Sequence, residues 1–344
     1  MATTNFNGQL RSNEIFAALY NMIISQQVFA DNLTGKDLVD DARVDGSMYG
    51  DTKLYYATHN LESKKWLNDA EAANLLDIAR PETPDMQAIF LDQFRIISVT
   101  VDNYLSKRAW SDEGSFSAFN SVMLGWLSDT KKVYEATTYN CFIGTTETTK
   151  GAQLQTVDAT SGQTIAEGLA NIMTDVTDYT RDYNDYGNLR RFGEESVKIV
   201  FNSKYVNKIK NIDLPVLFDN AGIRATFDKQ TLPAKYFGEV NAATKAGDGK
   251  TVRSLVEQDI GSNHYFPGEL IKSGDTAPAG TSYTQDDKVI CKIIGKLPPF
   301  MSAFSVQTSF FNPRSLTENH YLIFGHNTLD YFKNYAYITV KAAA

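Results

Sequence analysis

An α+β fold, with one long helix standing between stretches of sheet, is what this sequence predicts, and three patterns predict it. From Met86 to Asp102, Ile97, Val99 and Val101 alternate with Ser98, Thr100 and Asp102, the period of two expected of a half-buried strand. At Ser115 the period changes. Phe116, Phe119, Met123, Trp126/Leu127, Thr130, Val133/Tyr134, Thr137 and Cys141 recur every three or four residues, which puts them on one stripe of a helix, and Gly144 supplies a C-terminal stop. The tail then reads as strand: KVICKIIGK at 288–296, MSAFSVQTSFF at 301–311, YLIFG at 321–325 and YAYITV at 335–340, the first three separated by Pro298, Pro299 and Pro313. At ~1.5 Å per residue a helix from Phe116 to Phe142 is about 40 Å long, more than one small domain needs to cover its core.

The remaining elements follow in chain order. Ser12 can cap a helix that carries Ile15, Phe16, Leu19, Met22 and Ile23 on one face, an amphipathic arm that needs something to lie on. A polar stretch rich in Asp and Gly, from Asp31 to Asp51, separates it from a short strand, KLYYAT at 53–58. ESKKW and a helical NDAEAANLLDIA then lead to Pro81 and Pro84, so that residues 45–100 read as an excursion that leaves the body and returns. After Gly144, TTETTKGAQLQTVDATSGQ is a Thr- and Gly-rich connector and the best candidate for a subdomain boundary. A second helix is predicted from near Gln163, with Ile165, Leu169, Ile172, Val176, Tyr179 and Tyr183 as its core-facing stripe. Val197 to Phe201 is a buried type of strand, and Asn202 or Ser203 caps a helix over KYVNKIKNI, the strand-cap-helix order of an α/β subdomain. Residues 238–287, punctuated by Gly247, Gly249, Gly261, Gly268, Gly274 and Gly280, read as one long surface insertion with short strands at most.

Composition narrows the functional classes. The chain has 344 residues, 42% of them hydrophobic, enough for one elaborated domain or two closely connected ones. Its net charge of −8 argues against a protein that reads nucleic-acid sequence, although an enclosed polyanion is compatible with it. Cys141 and Cys291 read as reduced, buried thiols of a cytosolic protein. MATTNFNGQLRSN has neither a basic nor an apolar signal region, and the chain contains no run of about 18 apolar residues, so folding in cytoplasm is expected.

The chemistry-bearing residues do not assemble into a catalytic pattern. TKAGDGKT, Thr244 to Thr251, approaches a phosphate loop, but it has Thr244 where a Gly is needed and no buried strand ahead of it. His320 and His326 are six apart, and Gly325 and Asn327 are expected to bend the chain between them. His59 and His264 lie in other segments, with no HxxxH or CxxC spacing, so no metal site is expected. Glu194 and Glu195, like Asp112 and Glu113, are adjacent, whereas acid/base catalysis needs two separated carboxyls across a cleft. Asp112 and Glu113 suit a helix start instead, where negative charge complements the macrodipole. The sequence has no Gly-x-Ser-x-Gly elbow. No catalytic, cofactor-binding or metal residue is assigned, and the chain is not expected to be an enzyme. The aromatic clusters SAFSVQTSFF, NHYLIF and DYFKNYAY lack the Arg and Lys of a base-stacking platform over Asn319 to Thr328, and fit subunit interfaces or core better.

The order of parts resembles the major capsid proteins of tailed bacteriophages, the Hong Kong 97-like fold. The resemblance is carried by SDEGSFSAFNSVMLGWLSDTKKVYEATTYNCFIG, by VKIVFNSKYVNKIK followed by LPVLF, and by FNPRSLTENHYLIFGHNTLDYFKNYAYITV. Within the family it is closest in pattern to small short-tailed phages of Gram-positive hosts. It implies an N-terminal arm at 1–44, an extended loop with its strands at 45–100, and a peripheral domain with a spine helix at 101–150. An axial domain at 151–300, including the insertion 238–287, and a return to peripheral-domain strands at 301–344 complete the plan.

The implied function is self-assembly into an icosahedral head shell that encloses double-stranded DNA. Its implied partners are other copies of the chain in hexamers and pentamers, a separate scaffolding protein, a portal, and packaged DNA held without sequence-specific contacts; no cofactor and no membrane are implied. Some members of that family join a Lys to an Asn between subunits; Lys64, Lys65 and Asn334 occur here without a local pattern that marks them. Two alternatives share these features: an encapsulin-type compartment with the same fold, and a Tyr-rich, acidic tail or adhesin protein.

Overall fold

Strand and helix patterning become long elements in the computed structural model of the chain. The structure describes residues 36–45, 52–61, 63, 80–102, 113–147, 153–193, 196–209, 228–240, 283–286, 288–327 and 329–343. The expected arm helix at 12–23, the helix at 68–79 and the interior of the Gly-rich insertion lie outside these residues, as do the side chains of Phe116, Phe119 and Met123.

In chain order the elements are α1 (Leu38–Ala42), β1 (Arg43–Asp45), β2 (Thr52–Ala57), β3 (Asp85–Asp102), α2 (Glu113–Gly144), β4 (Thr145–Glu147), β5 (Leu154–Val157), α3 (Gly162–Thr177), β6 (Lys198–Asn202), α4 (Ser203–Ile209), β7 (Asp228–Leu232), β8 (Gly238–Val240), β9 (Tyr283–Gln285), β10 (Val289–Ile294), β11 (Phe300–Asn312), β12 (Thr317–Asn327) and β13 (Tyr337–Ala342). They form two five-stranded sheets, ordered β1-β11-β12-β3-β2 and β5-β13-β10-β6-β7, and a small third sheet, β4-β8-β9. The chain divides into two compact units: Met1–Asp40, Phe94–Ala136 and Phe304–Gly325 make one, and Asp41–Gln93, Thr137–Ala303 and His326–Ala344 the other.

In the first unit, α2 is held to the sheet by a layered contact. Arg95 of β3 donates from Nε to the Tyr134 hydroxyl at 3.0 Å, with its guanidinium 5.7 Å from the centre of that ring. Tyr134 in turn meets Phe324 of β12 edge-on at 5.7 Å, and the Lys131 ammonium lies 5.4 Å from the centre of the Phe324 ring. Leu127, Tyr134 and Cys141, seven residues apart, are buried. Trp126, Thr130 and Val133 are only half-buried, and Asp129 is half-buried as well, so up to Val133 the buried stripe is narrower than the sequence pattern suggests, whereas from Tyr134 to Gly144 the helix is buried nearly all round.

The second unit has the larger core. Ile165, Leu169, Ile172, Met173 and Val176 of α3 pack with Ile199 and Phe201 of β6, Ile290 and Ile293 of β10, and Ile338 and Val340 of β13. A capping box starts α3: the Ser161 side chain accepts from the Thr164 N–H, and the Thr164 hydroxyl accepts from the Ser161 N–H. The helix ends at Thr177, so Tyr179, expected on its buried stripe, is 65% exposed, while Tyr183 is buried beyond the helix. Asn202 caps α4 through its side-chain oxygen, which accepts from the Lys204 N–H at 3.0 Å.

Three further differences have physical reasons. The Thr- and Gly-rich connector contains β4 and β5, and β5 becomes a strand by pairing in parallel with β13, from Leu154 with Thr339 to Val157 with Ala342. That pairing, together with the antiparallel pairing of β13 with β10, places the C-terminal strand in a sheet with 151–300 and crosses the expected partition at residue 300. The bend expected between His320 and His326 is absent. Strand β12 runs unbroken from Thr317 to Asn327, because Asn327 is tied down: its Oδ1 accepts from the Met301 N–H at 2.7 Å and its Nδ2 donates to the Pro299 carbonyl at 3.1 Å. At the ends of the Gly-rich insertion, β8 and β9 pair antiparallel, Gly238 with Gln285 through Val240 with Tyr283.

Candidate assembly surface

Residues singled out by their chemistry are dispersed. His59 lies 3.3 Å from Asp85, His320 lies 3.8 Å from Glu318, and His326 is fully buried with its ring stacked on Phe300 at 5.3 Å. Thr244 to Thr251, His264, Glu194, Glu195, Asp112, Lys64 and Lys65 lie outside the described residues, as does the side chain of Glu113. Asn334 uses its Oδ1 to accept from Asn188 Nδ2 at 3.2 Å and Arg190 Nε at 3.3 Å. Cys141 and Cys291 are both buried, and burial pushes the Cys291 thiol pKa far up, so it stays protonated. Among the described residues, no group of three or more His, Cys, Asp or Glu side chains could hold a metal ion, and no helix is long and apolar enough to cross a membrane.

A surface stands out instead, on the ribbon of β2 and the first half of β3. The two strands pair antiparallel, which sets Tyr56 opposite Met86, Leu54 opposite Ala88 and Thr52 opposite Phe90. All six face solvent, with Tyr56 62%, Met86 55% and Phe90 55% exposed. Side chains on a strand alternate between faces, so the residues between them point the other way. There, Gln87 is buried; its Nε2 donates to the Tyr331 carbonyl at 2.9 Å and its Oε1 accepts from the Lys333 N–H at 3.1 Å. Ile89 packs with Met301 and Phe332, and Tyr55 meets Phe332 edge-on at 4.8 Å. The Lys296 ammonium lies 4.8 Å from the Phe332 ring centre, 5.4 Å from that of Tyr335 and 5.9 Å from that of Tyr55, adding a cation–π anchor. One face of the ribbon is therefore fastened to residues 296–335, and the other is apolar and bare.

The polar ties extend to the base of the ribbon. Arg190 donates to the Thr58 carbonyl at 3.1 Å and Asn60 donates to the Leu189 carbonyl at 3.1 Å. A ribbon held this firmly presents its bare face in one orientation, as a docking surface and not as a loose loop. Sequence alternation signals two faces in β3 but not which is covered: in this stretch the buried positions include Gln87 and Gln93, while Met86 and Phe90 are outside.

No family model and no curated protein matches the sequence. Solved structures do share its fold. The capsid structure of Staphylococcus phage Andhra matches with a TM-score of 0.62 at 11% identity, covering 91% of this chain and 86% of that one. The structure of head fiber and inner core protein gp22 of native bacteriophage P68 matches with a TM-score of 0.58 at 9% identity, covering 86% of this chain and 83% of that one. At these identities the likeness is one of architecture, and the chain is an α+β protein with the fold found in a phage capsid structure.

Proposed function

We propose that this chain is the major capsid protein of a tailed bacteriophage, many copies of which assemble into the icosahedral head shell around double-stranded DNA. The observation that carries the reading is the bare apolar face of β2–β3, with Leu54, Tyr56, Met86 and Phe90 exposed on a ribbon whose opposite face is anchored. Contiguous exposed apolar surface of this kind marks a protein interface. Fully covering one such side chain is worth ~1.5–3 kcal/mol, and a closed shell repeats the contact in every copy. The fold shared with the Andhra capsid structure over 91% of the chain supports the same reading.

In this reading the chain follows the Hong Kong 97-like plan, with its C-terminal strand β13 joined to the axial sheet. Residues 1–44 are the arm, 45–100 the extended loop that covers a neighbouring subunit, 101–150 and 301–344 the peripheral domain, and 151–300 the axial domain around which hexamers and pentamers close. The chain is a virion component assembled in host cytoplasm, with a separate scaffolding protein and a portal as partners. A net charge of −8 suits a shell that holds DNA loosely, because strong phosphate contacts would oppose its release. Negative-stain microscopy of the purified full chain tests the proposal. Closed shells of uniform diameter are expected, and trimers or open rings would overturn it in favour of a tail or adhesin protein. Shells from a gene with neither portal nor terminase genes nearby would instead indicate an encapsulin.

A further inference from the structure

The sheet of β11 and β12 carries, among the described residues, a second surface, an unguarded edge. Among the described residues, β1 covers β11 only from Phe300 to Ser302, through its pairs with Arg43, Val44 and Asp45. Beyond that contact Ser305, Gln307, Thr308, Ser309, Phe310 and Phe311 are exposed on both faces of the strand. Edge strands are ordinarily protected by charges, prolines or bulges, since their free N–H and C=O groups invite pairing. This one has no such protection: FMSAFSVQTSFFN, Phe300–Asn312, contains no charged residue, no glycine and no proline.

We infer that the free edge of β11 pairs antiparallel with the same edge of a second copy of this chain, centred on Thr308. The strand is complementary to itself in that register. Thr308 falls opposite Thr308, Gln307 opposite Ser309, Ser305 opposite Phe311, and Val306 opposite Phe310, an aromatic and β-branched pair of the kind that stabilises sheets. Charge also selects the occupant. Copies carrying −8 each repel on average, so a contact between them forms where charge is lacking, and this strand has none. Pairing of identical edges needs a twofold axis between the two copies, which a closed icosahedral shell supplies. In that respect the inference rests on the shell reading proposed above.

Cross-linking through a single introduced thiol tests it in the full chain. The native Cys141 and Cys291 are buried, so a Thr308→Cys side chain is the reactive one. Directly opposed residues of an antiparallel pair lie roughly 4.5–5.5 Å apart at Cα, within disulfide range. Under mild oxidation Thr308→Cys is expected to give a covalent dimer. Gln307→Cys and Ser309→Cys, each displaced by two residues from its own copy, are not. Hydrogen exchange at 304–312 should slow on association. A Thr308 dimer in the expected register supports the pairing whether or not shells are seen. Shells without it overturn the edge pairing and leave the capsid reading standing, whereas chains that neither associate nor cross-link overturn both. Slowed exchange without the dimer, or equal cross-linking at all three positions, shows that another segment or register covers the edge and overturns the pairing.

Discussion

Gly144 ends the long helix against the backbone of Tyr236, so closely that a Cβ on the glycine would lie 1.8 Å from the Tyr236 carbonyl oxygen. No side chain can be accommodated without moving backbone, and Gly144 is required here for space, not for a left-handed turn, since its φ is not positive. Gly125, in the same helix, has nothing within 4 Å of its would-be Cβ. Gly144→Ala is therefore expected to destabilise the chain by about 3 kcal/mol. Gly125→Ala, which removes backbone entropy from a helix interior, should stabilise it by ~0.5–1 kcal/mol. Chemical denaturation of the two variants checks the opposite signs.

Burial along α2 gives a second contrast. Leu127 is buried and its neighbour Ser128 is exposed. Leu127→Ala should cost about 3 kcal/mol through lost burial and the cavity left behind. Ser128→Ala should stay within about 0.5 kcal/mol of the parent. Equal effects in thermal unfolding would mean that this stripe is not core.

Neighbouring residues on the two faces of β3 should separate folding from assembly. Gln87→Ala removes both hydrogen bonds to the 331–333 backbone and should lower stability by about 2 kcal/mol, since it strands the buried Tyr331 carbonyl and the half-buried Lys333 N–H. Met86→Ser, on the exposed face, should leave the unfolding midpoint of the isolated chain nearly unchanged and weaken association. Unfolding curves and sedimentation of the same two preparations distinguish these effects.

Alkaline pH should reveal Tyr139, which is fully buried and donates from its hydroxyl to the Pro298 carbonyl at 2.8 Å. Burial first, and then the nearby Tyr337 and Asp41, hold its pKa well above the ordinary phenol value. Above pH about 10 the unfolded chain gives up this proton while the folded chain keeps it, so stability falls as pH rises past that point. Tyr139→Phe loses the hydrogen bond and should be about 1 kcal/mol less stable at neutral pH. Its deficit should shrink between pH 9 and 11, because the phenol that must stay protonated is gone. A deficit independent of pH would contradict the burial argument.

Regular periodicity made much of the fold legible in the sequence. The alternation from Met86 to Asp102 became the 18-residue strand β3, and the stripe from Ile165 to Val176 became α3. Short strands stayed hidden because their residues carry little signal of their own. LQTV in β5 is half polar and is a strand only through its pairing with β13, nearly two hundred positions away. Tyr179 kept the helical spacing past the end of α3, but Arg191 donates to the Thr177 carbonyl at 2.9 Å beside the helix end and its guanidinium lies 5.9 Å from the centre of the exposed Tyr179 ring. The excursion over 45–100 was legible, but alternation in β3 marks two faces alike, and it takes the hydrogen bonds of Gln87 and the packing of Ile89 and Tyr55 against a segment distant in sequence to show which face of the ribbon is covered.

The central claim is that the bare face of β2–β3 is a subunit interface in a shell. Sedimentation velocity of the wild-type chain beside a Tyr56→Lys/Phe90→Lys variant tests it most directly, because both side chains are exposed and neither supports the fold of the free chain. Wild type is expected to sediment as large closed particles, and the variant as small species with an unchanged unfolding midpoint. A variant that still forms particles of wild-type size would contradict the claim.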